Sequence, residues 1–172
     1  GAAVKLFNGR DGEWRGDIAT LDKRKASVAL AEQTRPQTAT ADLWLVFAPI
    51  KRARLDFIAQ KATELGVSGL WPVMTRYTDV SRVNDSRLHA NAVEAAEQCA
   101  RLDVPEIFPT ERLDRVLDRW PGDRRILLCD ETATDIPLAQ VLAEDRGRMP
   151  EPWAVLIGPE GGFAPEELTR LR

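Results

Sequence analysis

Hydrophobic and polar positions follow two different grammars along this chain. As far as residue 32, apolar residues come in short runs separated by turn formers. Ala3 to Phe7 predicts a strand, stopped by Asn8-Gly9-Arg10-Asp11-Gly12, whose Asn-Gly step favours positive-φ turns. Trp14 to Thr20 and Ala26 to Glu32 predict two more strands around the charged turn Asp22-Lys23-Arg24-Lys25. Residues 33–42 are polar, contain Pro36 and lack periodicity, so a linker is expected there. From Leu43 the pattern changes. Leu43 to Ala48 is a continuous apolar run, the mark of a strand buried on both faces. A helix is expected from Ala53 to Leu65, closed by Gly66, with Leu55, Ile58, Ala62 and Leu65 on one face. A strand follows from Val67 to Val73.

A second helix is predicted from Arg87 to Arg101, burying Leu88, Ala92, Ala95, Cys99 and Leu102 as one stripe and carrying Glu94, Glu97, Gln98 and Arg101 on its other side. Short elements then alternate: strand Val104 to Phe108, helix Glu111 to Arg119, strand Arg124 to Cys129, helix Leu138 to Ala143 and strand Trp153 to Ile157. Such alternation indicates an α/β domain with a mostly parallel sheet covered by helices.

Composition narrows the class without choosing a function. Hydrophobic residues at 44% and charged residues at 30% are the balance of a folded globular protein. There is no apolar run long enough to span a bilayer, and a cytoplasmic location is expected. Cys99 and Cys129 are expected as reduced thiols, and Cys99 as a small core residue. Two cysteines and the single His89 make no standard zinc cluster, so no metal is expected. The net charge of −3 hides a gradient: residues 1–37 carry seven basic and five acidic groups, residues 111–172 nine and thirteen. Phosphate attraction is local once salt screens the rest, so charge leaves nucleic-acid binding open.

The segment richest in chemistry is Gly158-Pro159-Glu160-Gly161-Gly162-Phe163, between the last strand and a helix expected to begin near Pro165. Ligands of parallel α/β sheets sit at the carboxyl ends of strands. Glycines there let backbone amides approach a ligand closely, although a rigid turn before a helix accounts for the same residues. The loop is neither a G-x-x-x-x-G-K-[ST] phosphate loop nor a G-x-G-x-x-G dinucleotide loop. Glu160 disfavours a phosphate among those amides. A nucleoside with ribose hydroxyls and a positive centre fits better; S-adenosylmethionine (SAM) meets that description, as do other small ligands.

Three blocks carry a family resemblance: Lys51-Arg52-Ala53-Arg54-Leu55-Asp56 with Gln60 to Gly66; Glu94-Ala95-Ala96-Glu97-Gln98-Cys99-Ala100-Arg101 with Val104-Pro105; and Ile157 to Phe163. The turn Leu6 to Trp14 adds to them. The sequence resembles the bacterial 16S ribosomal RNA uridine-N3 methyltransferase family, within the SPOUT or α/β-knot superfamily. The resemblance implies a partial PUA-like β-barrel over residues 1–37 that contacts RNA, and a SPOUT-type methyltransferase domain over 38–172. It also implies truncation at both ends, since the family has earlier barrel strands and a later segment that completes the knot. Further implications are SAM as cofactor with S-adenosylhomocysteine as product, 16S rRNA of the small ribosomal subunit as partner, and a homodimer.

Methylation of uridine N3 needs loss of the ring proton, alignment with a methyl sulfonium and exclusion of water. Arg54, Arg101 and Glu160 are the catalytic candidates, with Glu160 favoured as an orienting group. Ile157, Gly158, Pro159, Glu160, Gly161 and Gly162 are the cofactor candidates. Lys51, Arg52, Arg54 and Arg76 are the RNA candidates, a solvated helix start being the simpler account of the first three. Two alternatives stay open: a knotted methyltransferase acting on another RNA site, and a catalytically silent RNA-binding module.

Overall fold

A computed structural model describes residues 2–132, 137–144 and 151–172; the side chains of Arg52 and Glu144 fall outside that description. The amino-terminal unit is an antiparallel sheet of β1 (Ala3–Leu6), β2 (Glu13–Leu21) and β3 (Ala26–Arg35), in the order β1-β2-β3. Gly9 and Gly12, at φ 77° and 78°, make the bend between β1 and β2 that their sequence context predicts. The expected linker starts later than its polarity suggests. Gln33 and Arg35 pair with Trp14 and Glu13 across a register shift, and the Thr34 hydroxyl donates to the Glu13 carboxylate at 2.7 Å. Polar residues continue this strand because its faces are largely exposed, leaving no apolar alternation to mark its end.

The second unit contains β4 (Leu43–Phe47), α1 (Arg52–Glu64), β5 (Gly69–Met74), α2 (Asp85–Gln98), β6 (Glu106–Ile107), β7 (Glu111–Arg112), α3 (Leu113–Asp118), β8 (Arg125–Cys129), α4 (Leu138–Glu144), β9 (Trp153–Ile157) and α5 (Pro165–Leu171). Its sheet runs β6-β5-β4-β9-β8, and all of these neighbours are parallel; β7 adds a short parallel pairing at the end of β5. The apolar runs are buried on two sides because layers lie on both faces. Phe47 and Leu70 pack with Ala59, Ala62 and Leu88 from α1 and α2. Val46, Trp71 and Leu156 point the other way, packing with Leu113 and Val116 of α3 and with Phe163.

Two expected core positions change sides. Leu65 is 84% exposed and Cys99 is exposed. Each lies one residue past its helix, where the cap no longer continues the 3.6-residue stripe. Ala59 and Ala96, outside the predicted stripes, are both fully buried. Helix 111–119 also starts late, because Glu111 and Arg112 extend the sheet beside Val73 and Met74.

Candidate functional site

Strand order creates the site. From β4 the chain builds outward through β5 and β6, then returns through β8 to place β9 against the other edge of β4. The loops after β4 and β9 therefore diverge from adjacent strands, the arrangement that opens a crevice in α/β sheets. Ala48 N donates to Ile157 O at 2.9 Å and holds the two strand ends together. The β5 end joins them: Arg76 N donates to the Glu167 carboxylate at 2.8 Å, and the other oxygen of that carboxylate accepts from Ala164 N at 2.9 Å. Glu167 thereby fastens the start of α5 to the loop after β5.

Within the 158–163 loop, Gly162 N donates to Pro159 O at 2.9 Å, closing a turn that has Glu160 and Gly161 at its tip. The amides of Glu160 and Gly161 have no acceptor among the described residues. Each glycine has a separate reason to be there. A Cβ on Gly158 would come within 2.8 Å of the Phe163 ring, which is buried in the core. A Cβ on Gly161 would sit 3.4 Å from Tyr77 Cβ, and Gly162 holds φ +70°. Tyr77, 48% exposed, stands beside the tip, and Ile157, 43% exposed, is the last residue of β9 just before the loop. Two acids lie here as well: Glu160 is exposed, and the Glu131 carboxylate is the nearest group to a Cβ placed on Gly162, at 3.9 Å. Free amides, apolar walls and carboxylates suit a neutral nucleoside joined to a cationic centre better than a phosphate.

Helix α1 begins at this same end. Its first turn contains no acid, and its N-cap, Lys51, makes no side-chain cap bond. Lys51 and Arg54 thus stand at the positive pole of a helix where carboxylates are normally favoured, an arrangement that costs about 0.3–1 kcal/mol per cation unless an anion approaches. Among the described residues neither cation has an ion-pair partner, and the same holds for Arg76. Arg82 is also free, and it lines a depression of about 490 Å³ with Ile50, Leu55, Asp56 and Arg87 beside the start of α1. Sequence reasoning missed Arg82, Tyr77 and Glu131, which lie on connections where no periodicity announces a facing direction. The Arg52 side chain lies outside the described residues.

One catalytic candidate is displaced. Arg101 donates to Thr63 O at 2.9 Å and Val67 O at 2.7 Å, and pairs with Asp103 at 2.6 Å, its side chain only 10% exposed. Val67 precedes β5, whereas Gly158 follows β9, and both strands run parallel to β4. Arg101 therefore sits at the opposite end of the sheet from the glycine loop and ties α1, β5 and Asp103 together. Its position after α2 gave no indication of which end of the sheet it faces.

The family described as RNA methyltransferase domain matches residues 37–172. A Rickettsia conorii protein named ribosomal RNA small subunit methyltransferase E is 31% identical over 168 residues, covering 98% of this chain and 67% of that protein. The Bacillus subtilis protein of the same name is 25% identical over 169 residues, covering 92% and 66%. The chain thus spans about two thirds of the length of these relatives. Among solved structures, a Legionella pneumophila protein in complex with bound SAM superposes with a TM-score of 0.81 at 26% identity, covering 99% of this chain and 71% of that one.

Proposed function

Because the chain belongs to the RNA methyltransferase domain family, we propose that it transfers the methyl group of SAM to N3 of a uridine in 16S rRNA of the small ribosomal subunit, releasing S-adenosylhomocysteine. The observation that carries this reading is the glycine turn at the β4/β9 switch point, with two unpaired amides and no phosphate-loop lysine. The names of the Rickettsia and Bacillus relatives support the RNA target, and the SAM held by the Legionella protein supports the cofactor. The finer architecture belongs to the same proposal: residues 1–37 as part of a PUA-like barrel, and residues 38–172 as a SPOUT domain of the knotted type.

In this reading Ile157 and the backbone of Gly158 to Gly162 hold the cofactor, which when bound supplies an electrophilic methyl group on a sulfonium. Glu160 accepts a hydrogen bond and orients ligand or base. Lys51, Arg52, Arg54 and Arg76 receive phosphates, and the Arg54 guanidinium faces the negative charge that grows on uridine as its N3 proton leaves. The closed turn and the Tyr77 and Ile157 walls exclude water from that step.

Two measurements test the proposal. Calorimetric titration should show SAM and S-adenosylhomocysteine binding. Mass analysis of methylated small-subunit RNA should place the new methyl on a uridine N3. A chain of the relatives' length that binds neither cofactor is not a methyltransferase, and methylation at another atom moves the target within the family. A homodimer is proposed as well, formed through the small-residue surfaces of α2 and the glycine loop. Sedimentation at micromolar concentration should give about twice the 19.2 kDa chain mass; a lone monomer of the longer chain would remove that part.

A further inference from the structure

We propose, resting on the methyltransferase reading above, that the ring of Tyr77 is the platform on which the acceptor uracil stacks once it has left the RNA.

The chemistry creates the need for such a ring. N3 lies on the Watson–Crick edge of uracil, so it cannot meet a methyl donor while the base is paired. An enzyme acting there draws the base out of its stack, and an aromatic side chain replaces the stacking that is lost. The chain has five Phe, five Trp and one Tyr, and the fold places all but one of these rings elsewhere. Phe7 and Trp14 belong to the amino-terminal unit. Trp44, Trp71, Phe108 and Trp120 pack on one another, and Phe47 and Phe163 are buried. Trp153 opens β9, at the other end of that strand from the glycine loop. Phe57 faces a groove between α1 and α2 to which neither the β5 nor the β9 loop contributes. Tyr77 remains.

Its ring is held from three sides. Thr78 N donates to Thr75 O at 3.3 Å and Thr75 N to the Thr78 hydroxyl at 3.0 Å, closing a turn with Arg76 and Tyr77 at its centre. The Glu167 carboxylate anchors the Arg76 amide at 2.8 Å. A Cβ on Gly161 would lie 3.4 Å from Tyr77 Cβ and 3.9 Å from its Cγ, so the tip of the glycine turn bears on the base of the ring. Tyr77 nonetheless stays half-exposed, and its hydroxyl has no partner among the described residues. A ring fixed in advance loses little freedom when a base stacks on it.

Electrostatics favour the acceptor over the cofactor as the occupant. Arg76, beside Tyr77 in the turn, has no ion-pair partner among the described residues, and Lys51, Arg54 and Arg82 add unpaired cations at the same end of the sheet. A sulfonium is repelled by such a surface. A nucleotide brings its phosphate to it, and uracil becomes anionic as N3 gives up its proton. The acids that suit a sulfonium, Glu131 and Glu160, stand on the β8 and β9 loops instead.

The test uses chains of the relatives' length: parent, Y77F, Y77L and Y77A. Methyl transfer from labelled SAM to small ribosomal subunits lacking the modification is measured beside calorimetric titration with S-adenosylhomocysteine and a thermal melt. Y77L and Y77A should lose about 5- to 150-fold in kcat/KM for the subunit, the effect of one stacking contact. Their cofactor affinity and melting temperature should match the parent, and Y77F, which keeps the ring, should keep the parental kcat/KM. Leucine fills the space without a flat π face, so a fully active Y77L would reduce the ring to an apolar cover and overturn the proposal. A Y77F variant as poor as Y77A would make the hydroxyl the working group and overturn it too. Loss of S-adenosylhomocysteine affinity in parallel with activity would assign the ring to the cofactor. A second arm removes the base: on small-subunit RNA with an abasic residue at the methylated position, parent and Y77L should bind equally. A Y77L deficit there as large as on intact RNA would place the ring against another nucleotide and sink the assignment. All of these outcomes leave the methyltransferase reading standing; a parent chain that binds neither SAM nor S-adenosylhomocysteine would remove both.

Discussion

Single residues decide the glycine loop. Gly161 has room only for a neighbour in van der Waals contact with Tyr77, and its φ lies outside the left-handed region, which Gly162 occupies instead. Gly161→Val, made in the chain extended to the length of its relatives, should leave the fold intact and push Tyr77 and the free amides out of place. The expected loss is roughly 2–4 kcal/mol of S-adenosylhomocysteine binding, about 30- to 1000-fold, read by calorimetry beside a thermal melt. Parental affinity in a folded variant would remove the loop from the cofactor site. Gly162→Val should behave differently: a β-branched residue at φ +70° is strained by about 1–3 kcal/mol, so its melt should move first. Two carboxylates predict an acid response. Hydrogen bonds from Thr34 and Lys5 hold Glu13 below the ordinary range. Burial raises Asp103, but the bonds from Arg101 and Thr40 outweigh it and leave the net shift downward. A depressed carboxylate contributes stability that is complete above its unfolded value and fades as pH falls through the folded one. Protection of the Gly9 amide, its exchange compared with that of the unfolded chain at the same pH, should therefore weaken below about pH 4, where ordinary carboxylates protonate. Protection that stays constant from neutral pH down to full protonation would show that neither group supports the docked sheet.

At the scale of elements, the connection after α2 joins the two units. Ala100 adopts φ 55°, uncommon for a residue other than glycine, and turns Arg101 back beneath α1 while Leu102 and Asp103 face the amino-terminal sheet. Removing the guanidinium leaves the Thr63 and Val67 carbonyls without that donor and Asp103 with the Thr40 hydroxyl but no cation. Arg101→Ala should cost about 3–5 kcal/mol and lower the melting temperature by roughly 10 °C. Its melt should fall before its affinity for S-adenosylhomocysteine does. A variant with the parental melt and a selective loss of methyl transfer would restore Arg101 to the catalytic list and contradict the position found here. Helix α1 makes the opposite case. Its basic start is unfavourable for the isolated helix, so replacing Lys51 should not weaken folding.

For the whole molecule, the proposed function requires RNA to meet the end of the sheet where the β4, β5 and β9 loops converge. Alanine at Lys51, Arg52 and Arg54 together should weaken RNA binding and flatten its salt dependence by up to about three in slope, with SAM affinity unchanged. Filter binding across a salt series measures this. An unchanged slope would return the cluster to an ordinary solvated helix start.

The amino-acid sequence by itself determined the class of fold. Apolar runs such as Leu43 to Phe47 and Trp153 to Ile157 can only be strands covered on both faces, and the small stripe Leu88, Ala92, Ala95 can only be the inner side of a helix. The glycine turn was legible too, because glycine, proline and a strand end are local signals. Helix ends were less so: Leu65 and Cys99 obey the period, yet the backbone leaves the helix beneath them. Strand order was decided only by the tertiary structure. Whether Arg54 and the glycine loop share an end of the sheet depends on β9 pairing with β4, about a hundred residues away in the chain. That pairing is set by long-range packing, and nothing within the reach of one helix turn or one strand repeat encodes it.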